Sequence, residues 1–351
     1  MSSRFITDIE LEELQDLEQL PAIRNMPRKK TTGKPKAKKP TNLVEKQEAL
    51  NQQMAELAAE VDETFHFTYK AGEIEAAWLY HSLGELRNMK WIDDILRVVK
   101  GGKEASVYLC AANATTGAEY IAAKVYRPSQ FRSLKNDWLY REGRSDLDES
   151  GNEITNKGKL HAMRKRTSYG RQLLHSSWLE HEYKTMQILY AARVDVPRPY
   201  ATHENAILMQ YYGDELMGAP TLNDVELDFS EAKTLYERMV HNIEVMLQNE
   251  RVHGDLSAFN ILYWDGDIVM IDFPQAVHPE INRSAYRIFE RDVVRVCEYF
   301  HRQGVRSNAR ALAASLWEKY NHHQVPQVDP KALGEEEQDN ERSIWESLKN
   351  A

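Results

Sequence analysis

The chain has 351 residues, 54 acidic against 45 basic, and a formal net charge of −9, which is long enough for one two-lobed domain with extensions or two modest domains and gives no global reason to expect nucleic-acid binding. Its only cysteines, Cys110 and Cys297, exclude a disulfide framework or a metal knuckle and suit a reducing, cytoplasmic setting. No apolar run approaches a membrane span, and the acidic N-terminus does not read as a signal peptide.

Residues 7–18 interleave Asp8, Glu10, Glu12, Glu13, Asp16 and Glu18 with Ile9, Leu11, Leu14 and Leu17, the pattern of a short acidic amphipathic helix or a docking segment, ended by Pro21. Residues 27–40 carry Arg28, Lys29, Lys30, Lys34, Lys36, Lys38 and Lys39 and few apolar groups. A solvated linker is the favoured reading there; an electrostatic arm for RNA is the sharper one. Leu43, Leu50, Met54, Leu57 and Val61 recur at helical spacing, and residues 73–88 read as a second helix. The expected division is an acidic then basic flexible arm over 1–41 and a helical extension over 42–90.

From Trp91 the chain becomes strand-rich. Residues 98–109 read strand, glycine turn, strand, with Gly101, Gly102, Lys103 and Ser106 in or beside the turn. Glycines let backbone approach an anion and leave N–H groups to cradle it, although most glycine pairs are plain hairpin turns. No Walker-type G-x-x-x-x-G-K-[ST] occurs. The next strand, 120–126, places Lys124 behind the glycine turn. Residues 129–172 are polar, with Gly143, Gly151, Gly158 and Gly170 and a basic cluster of Arg164, Lys165, Arg166 and Arg171, and read as a long loop. Trp178, Tyr183, Met186 and Leu189 then mark a helix. His-Glu occurs at His181 and His203 without a second histidine four residues after the first, so a zinc-protease reading fails. Residues 196–199 form an extended connector, and 206–213 a strand ending at Gly213. Leu235, Met239, Ile243 and Met246 line one face of a helix capped by Asp228 or Ser230.

That helix leads into residues 253–272, which read as loop, short strand, tight turn at Asp265-Gly266, and short strand. The hairpin brings its outer ends together, so Asp255, Asn260 and Asp272 converge on one small volume. A carboxylate there can orient or deprotonate a hydroxyl. An amide oxygen and a second carboxylate can hold Mg²⁺, with Mn²⁺ an alternative. Phosphoryl transfer needs mostly positioning and charge neutralisation, and this set supplies both. His253 reads as a packed loop histidine rather than a base, and Ser257 as a structural hydroxyl. Tyr286, Phe289, Val293, Val296 and Phe300 line a further helix stopped by Gly304; Asp292 on it anchors the preceding loop, and 309–320 form the last helix.

The pattern H-x-D-x-x-x-x-N followed by a strand-ending Asp resembles the catalytic loop and metal-binding strand of protein kinases. Gly254, where those enzymes usually carry Arg, and Asp272-Phe273-Pro274 in place of D-F-G narrow the likeness. V-H-G-D-L-S-A-F-N-I-L with I-D-F-P-Q-A-V resembles the RIO family of atypical kinases and ATPases, over roughly residues 91–305. Gly102-Lys103-Glu104-Ala105-Ser106 matches that family's short nucleotide loop, with Gly101 departing just before it.

The resemblance implies an α+β, two-lobed kinase-like fold: a small antiparallel β lobe with one helix and the hinge over 91–213, a mostly helical lobe over 214–325, and an acidic tail over 326–351. It implies that Asp255 is catalytic, that Asn260 and Asp272 bind metal, and that Lys124 pairs with ATP phosphates and with Glu182 (Glu180 being the fallback). It further implies that Gly101 to Ser106 cover the phosphates and that Gln210 to Tyr212 offer backbone to adenine. The substrate is then a protein or the chain itself, by autophosphorylation. The alternative is an ATPase-driven assembly factor that binds ribosomal particles or RNA through the basic segments and turns over ATP through an aspartyl phosphate.

Overall fold

Strict alternation along adjacent strands builds the first lobe. In chain order its elements are α1 (Glu73–Asn88), β1 (Ile92–Lys100), β2 (Ala105–Ala112), β3 (Tyr120–Tyr126), α2 (Lys157–Lys165), α3 (Ser168–Ala191), β4 (Pro199–His203) and β5 (Ala206–Gln210). The computed structural model describes residues 67–320 apart from 103, 128–139, 141 and 166. The 1–41 arm, the helix expected near 43–62, Lys103, Arg166 and the 326–351 tail lie outside the described residues. The five strands form one antiparallel sheet in the order β1-β2-β3-β5-β4.

Successive side chains of a strand point to opposite faces. Ile121, Ala123 and Val125 of β3, with Ala206 and Leu208 of β5, pack against Trp78, Leu79, Leu83 and Leu86 of α1. Ala122 and Tyr126, with Ile207 and Met209, face the other way into a cluster that includes Trp178, Leu179, Met186 and Leu189 of α3. Lys124 shares the face of Ala122 and Tyr126 and is thereby aimed at α3. The β lobe so carries a helix on each face rather than one helix alone. Tyr108 of β2 ties α1 down by donating to Glu75 Oε1 at 2.8 Å.

Two elements depart from the sequence reading. Strand β4 starts at the last residue of the expected connector, Pro199, and runs on to His203, where no strand was expected. Pro199 opens it on the sheet's edge, where the missing N–H costs no ladder bond. The expected loop over 129–172 contains α2 and the first turn of α3. Thr167 caps α3 by accepting from Gly170 N at 3.0 Å. Gly170 is buried where the two helices meet, and a Cβ there would stand 2.0 Å from Ala162 O. The glycine that argued against a helix is the residue that lets two helices touch.

The second lobe contains α4 (Phe229–Gln248), β6 (Ile261–Trp264), β7 (Asp267–Met270), α5 (Ala285–Arg302) and α6 (Ala309–Tyr320). Asp228 is the cap of α4, accepting from Glu231 N at 3.0 Å. Strands β6 and β7 pair in register from Ile261↔Met270 to Trp264↔Asp267. Their turn residues Asp265 and Gly266 both have positive φ, 53° and 80°, as a two-residue hairpin of this hand requires.

Asp195, in the connector before β4, joins the lobes. Its carbonyl accepts from Met270 N at 2.8 Å, its carboxylate takes a two-pronged bond from Arg238 at 2.6 and 2.8 Å, and buried Asn242 holds both its N–H and its carboxylate. Among the described residues no helix is long and apolar enough to cross a membrane. Gly170→Ala is expected to lower the unfolding free energy by about 1–3 kcal/mol through overpacking at the α2–α3 contact; a urea melt superimposable on wild type would contradict that packing.

Candidate active site

Sharp backbone geometry in the loop after α4 comes first. Gly254 has φ +87°, and a Cβ there would lie 2.0 Å from Gln275 O. Arginine therefore does not fit at this position in this backbone. Gly254 N donates to Asp292 Oδ2 at 2.9 Å, and Leu256 N also reaches that carboxylate. Asp292 is buried, which pushes its carboxyl up despite the Arg291 guanidinium beside it. Arg291 in turn donates to Gly254 O and, at 3.1 Å, to Tyr140 OH. The loop is gripped from α5 through both its N–H and its C=O groups.

His253 is buried, with Nδ1 accepting from Asp255 N at 3.3 Å and Nε2 within 3.1 Å of Ile271 O. Its ring packs 4.7 Å from that of Phe273. It bridges the two ends of the hairpin and is committed to backbone, as a packed histidine is.

The hairpin puts Asp255 and Asn260 in direct contact and sets Asp272 next to the residue bonded to the Asn260 backbone. Asn260 Nδ2 donates to Asp255 O at 2.9 Å and stands 3.3 Å from Asp255 Oδ2. Asn260 O accepts from Ile271 N at 3.0 Å, one residue before Asp272. Committing its nitrogen to Asp255 turns the Asn260 oxygen into the end available to a cation. Asp272 has φ +73°, an uncommon conformation for a residue with a Cβ and one that gathers at functional sites.

Lys124 Nζ lies 2.6 Å from Asp272 Oδ1 and 2.7 Å from Glu182 Oε1. The Glu182 side chain is 1% exposed and Lys124 12%, and the other Glu182 oxygen accepts from the buried Tyr126 hydroxyl. Burial opposes the charge on Lys124, but Asp272 and Glu182 outweigh it and hold the ammonium well above its ordinary value. Burial likewise opposes ionisation of Asp272, and Lys124 overcomes it, holding that carboxyl below the usual carboxylate range. Lys100, at the end of β1, adds positive charge to the same carboxylate. Lys124 takes only one oxygen of Asp272, and the other could hold a divalent cation. Among the described residues no group of three or more His, Cys, Asp or Glu forms a metal cluster. The donor set offered here is one carboxylate and one amide oxygen, hard ligands that fit Mg²⁺ completed by phosphate and water oxygens.

Around this centre the remaining expected residues fall as follows. Gly101 and Gly102 form the β1–β2 turn; a Cβ on Gly102 would stand 2.6 Å from Ala105 O, so that turn needs glycine. Ser106 pairs with Val125, one residue from Lys124. Gln210 ends β5, but its N–H donates to Arg198 O at 2.8 Å and is not free for adenine. Tyr212 O accepts from Ala219 N at 2.9 Å and retains one lone pair. The fallback Glu180 does not reach Lys124; it faces Asp148 and Glu149. Sequence reasoning missed Arg291, Arg295, Lys100 and Tyr126. Only the spacing of Arg291, Asp292 and Arg295 along one helix hinted at the first two.

A family model described as the RIO domain matches residues 106–312. The RIO-type serine/threonine-protein kinase Rio1 of Methanocaldococcus jannaschii is 29% identical over 234 residues, 65% of this chain and 72% of that protein. The serine/threonine-protein kinase RIO1 of Homo sapiens is 29% identical over 221 residues, 61% of this chain but 34% of its own length. The Thermoplasma acidophilum Rio1 is 28% identical over 200 residues, 56% of this chain and 92% of its own.

Burial, with Asp148 and Glu149 adding to it, pushes the Glu180 carboxyl up to about 7. A raised folded-state value means that the stabilising contribution of the protonated form is complete below the ordinary glutamate value and is lost as pH rises through about 7. Glu180→Gln removes that titration. Its stability relative to wild type is expected to grow by on the order of 1 kcal/mol or more between roughly pH 5 and 8, and parallel urea-melt profiles across that range would contradict it.

Proposed function

The chain belongs to the RIO domain family, and from that premise we propose that it is a Mg-ATP-dependent atypical serine/threonine protein kinase. The observation that carries the proposal is the shared Lys124. One ammonium is held between Glu182 and Asp272, while Asp255 and Asn260 are packed one residue away through the Ile271 bond. ATP lies between the lobes, with its phosphates under the Gly101–Gly102 turn.

Lys124 orients the phosphates, and Glu182 and Tyr126 fix Lys124. Asn260 and Asp272 would hold a Mg²⁺ ion, whose charge would neutralise that of the phosphates. Asp255 positions the incoming hydroxyl, and a loose transition state asks little more of it than orientation. The short segment after Asp272 is strapped down, with Val252 and Val277 exchanging backbone bonds of 3.0 and 2.9 Å and Arg144 donating to Pro274 O at 3.1 Å. Between Asp272 and α5 the chain is too short for an ordinary activation segment, which favours autophosphorylation or a docked folded substrate. A cytoplasmic setting suits the two buried free cysteines.

A second reading, ATP-driven association with ribosomal particles or RNA, is favoured by the exposed Lys157, Arg164, Lys165 and Arg171 on α2 and the start of α3. RNA co-sedimentation that fails to weaken with salt, or does not occur, would remove it.

Single-turnover ATP hydrolysis and autophosphorylation with Mg²⁺ test the main reading. Asp272→Ala is expected to lower the rate by about 10²-fold or more while the chain stays folded. Undiminished turnover in that variant, or no nucleotide binding by wild type with any of several divalent metals, would contradict the assignment.

A further inference from the structure

Asp255 is held at both carboxylate oxygens. Oδ1 accepts from Arg295 Nη1 at 2.8 Å, and Oδ2 stands 3.3 Å from Asn260 Nδ2. Arg295 lies one turn beyond Arg291 on α5, and the two arginines are committed differently. Arg291 is 21% exposed and is spent on Gly254 O, Asp292 and Tyr140, that is, on the loop's shape. Arg295 is 39% exposed, and its partner Asp255 41%, so this pair lies open to an incoming substrate. An exposed pair of this kind contributes little to folding, and its place on the reacting carboxylate calls for a role in the chemistry.

Resting on the phosphoryl-transfer reading above, we propose that Arg295 is the positioning residue that decides which oxygen receives the phosphoryl group. It keeps Asp255 as an orienting carboxylate for a substrate hydroxyl and restrains Asp255 from taking the group itself.

Two transfers compete at this site. In one, the hydroxyl oxygen bonds the γ-phosphorus, and the bond from that phosphorus to the β–γ bridging oxygen breaks with its electron pair. ADP leaves and the hydroxyl proton passes to Asp255 or water. In the other, a carboxylate oxygen of Asp255 bonds the phosphorus and ADP leaves in the same way. No proton is released, and water later cleaves the acyl phosphate to Asp255 and inorganic phosphate.

The Arg295 contact weighs on these two routes unequally. A carboxylate whose negative charge is drawn on by a guanidinium N–H is a weaker nucleophile at either oxygen. Each carboxylate oxygen has a second lone pair, so orienting a hydroxyl needs no bond broken. Arg295 therefore burdens the acyl-phosphate route and spares the hydroxyl route.

The full chain, incubated with γ-labelled Mg·ATP, is quenched, and its label divided into acid-stable and hydroxylamine-labile phosphoprotein. Arg295→Gln is expected to raise the labile share about tenfold over wild type, and Arg295→Lys, which keeps the charge, to return it toward wild type. Thermal melts and nucleotide affinity close to wild type accompany this result, because neither depends on the pair. A labile share that is unchanged or lowered in Arg295→Gln, or equal in the Gln and Lys variants, overturns the assignment while leaving kinase activity standing. Should Arg295→Gln fail to fold, Arg295→Met, which also removes the guanidinium, carries the comparison, with the same rise in labile share expected and an unchanged share overturning the assignment. A wild-type chain that neither takes up label nor hydrolyses ATP overturns the phosphoryl-transfer reading, and this assignment with it.

Discussion

One ammonium group shared by two carboxylates is the interaction on which the site depends. Lys124 comes from β3, Glu182 from α3, and Asp272 from the end of the hairpin in the other lobe. Lys124 and Glu182 are buried ions, costly unless paired and hydrogen-bonded, while Asp272 keeps 42% of its side chain exposed. Here the cost is met by mutual pairing and by Tyr126, whose hydroxyl takes the second Glu182 oxygen and whose ring lies 5.1 Å from the ammonium. Three elements distant in sequence are thus fixed to one point, and the donors that face the cleft are those a bound triphosphate and its cation would meet.

The second constraint is that the catalytic-loop backbone is set by glycine and by α5. Gly254 adopts a conformation in which any side chain would collide with Gln275, and Asp292 and Arg291 hold the peptide groups that this bend exposes. Sequence departures from conventional kinases become consequences of packing. With glycine at 254, α5 anchors the bend through Asp292 and Arg291, and the same helix delivers Arg295 to Asp255.

What was legible in the sequence followed from local chemistry. Asp265-Gly266 between apolar runs dictates a two-residue turn, and the turn dictates that Asp255, Asn260 and Asp272 share one end of a hairpin. The helical spacings of α1, α4, α5 and α6 and the stop at Gly304 were equally readable, and the α4 cap was narrowed to Asp228 or Ser230, because each depends on residues within one turn. What was not legible depends on long-range contact. Strand β4 exists because β5 offers it an edge, and its opening proline hid it. Gly170 looked like a loop residue because its reason is the neighbouring helix. Arg295 meets Asp255 across forty positions, and no periodicity encodes that. The choice of Glu182 over Glu180 came from family resemblance, and orientation explains it: both are buried, but Glu182 meets Lys124 at 2.7 Å while Glu180 faces Asp148 and Glu149.

The most direct measurement is a double-mutant cycle on Mg·ATP affinity, using titration calorimetry on wild type, Lys124→Met, Asp272→Asn and the double variant. If Lys124 and Asp272 act as one unit on the phosphates and metal, the double variant should lose little more than the worse single variant, with a coupling of about 1 kcal/mol or more. Strictly additive losses, or affinity unchanged in all three variants, would show that the shared ammonium does not organise the nucleotide site.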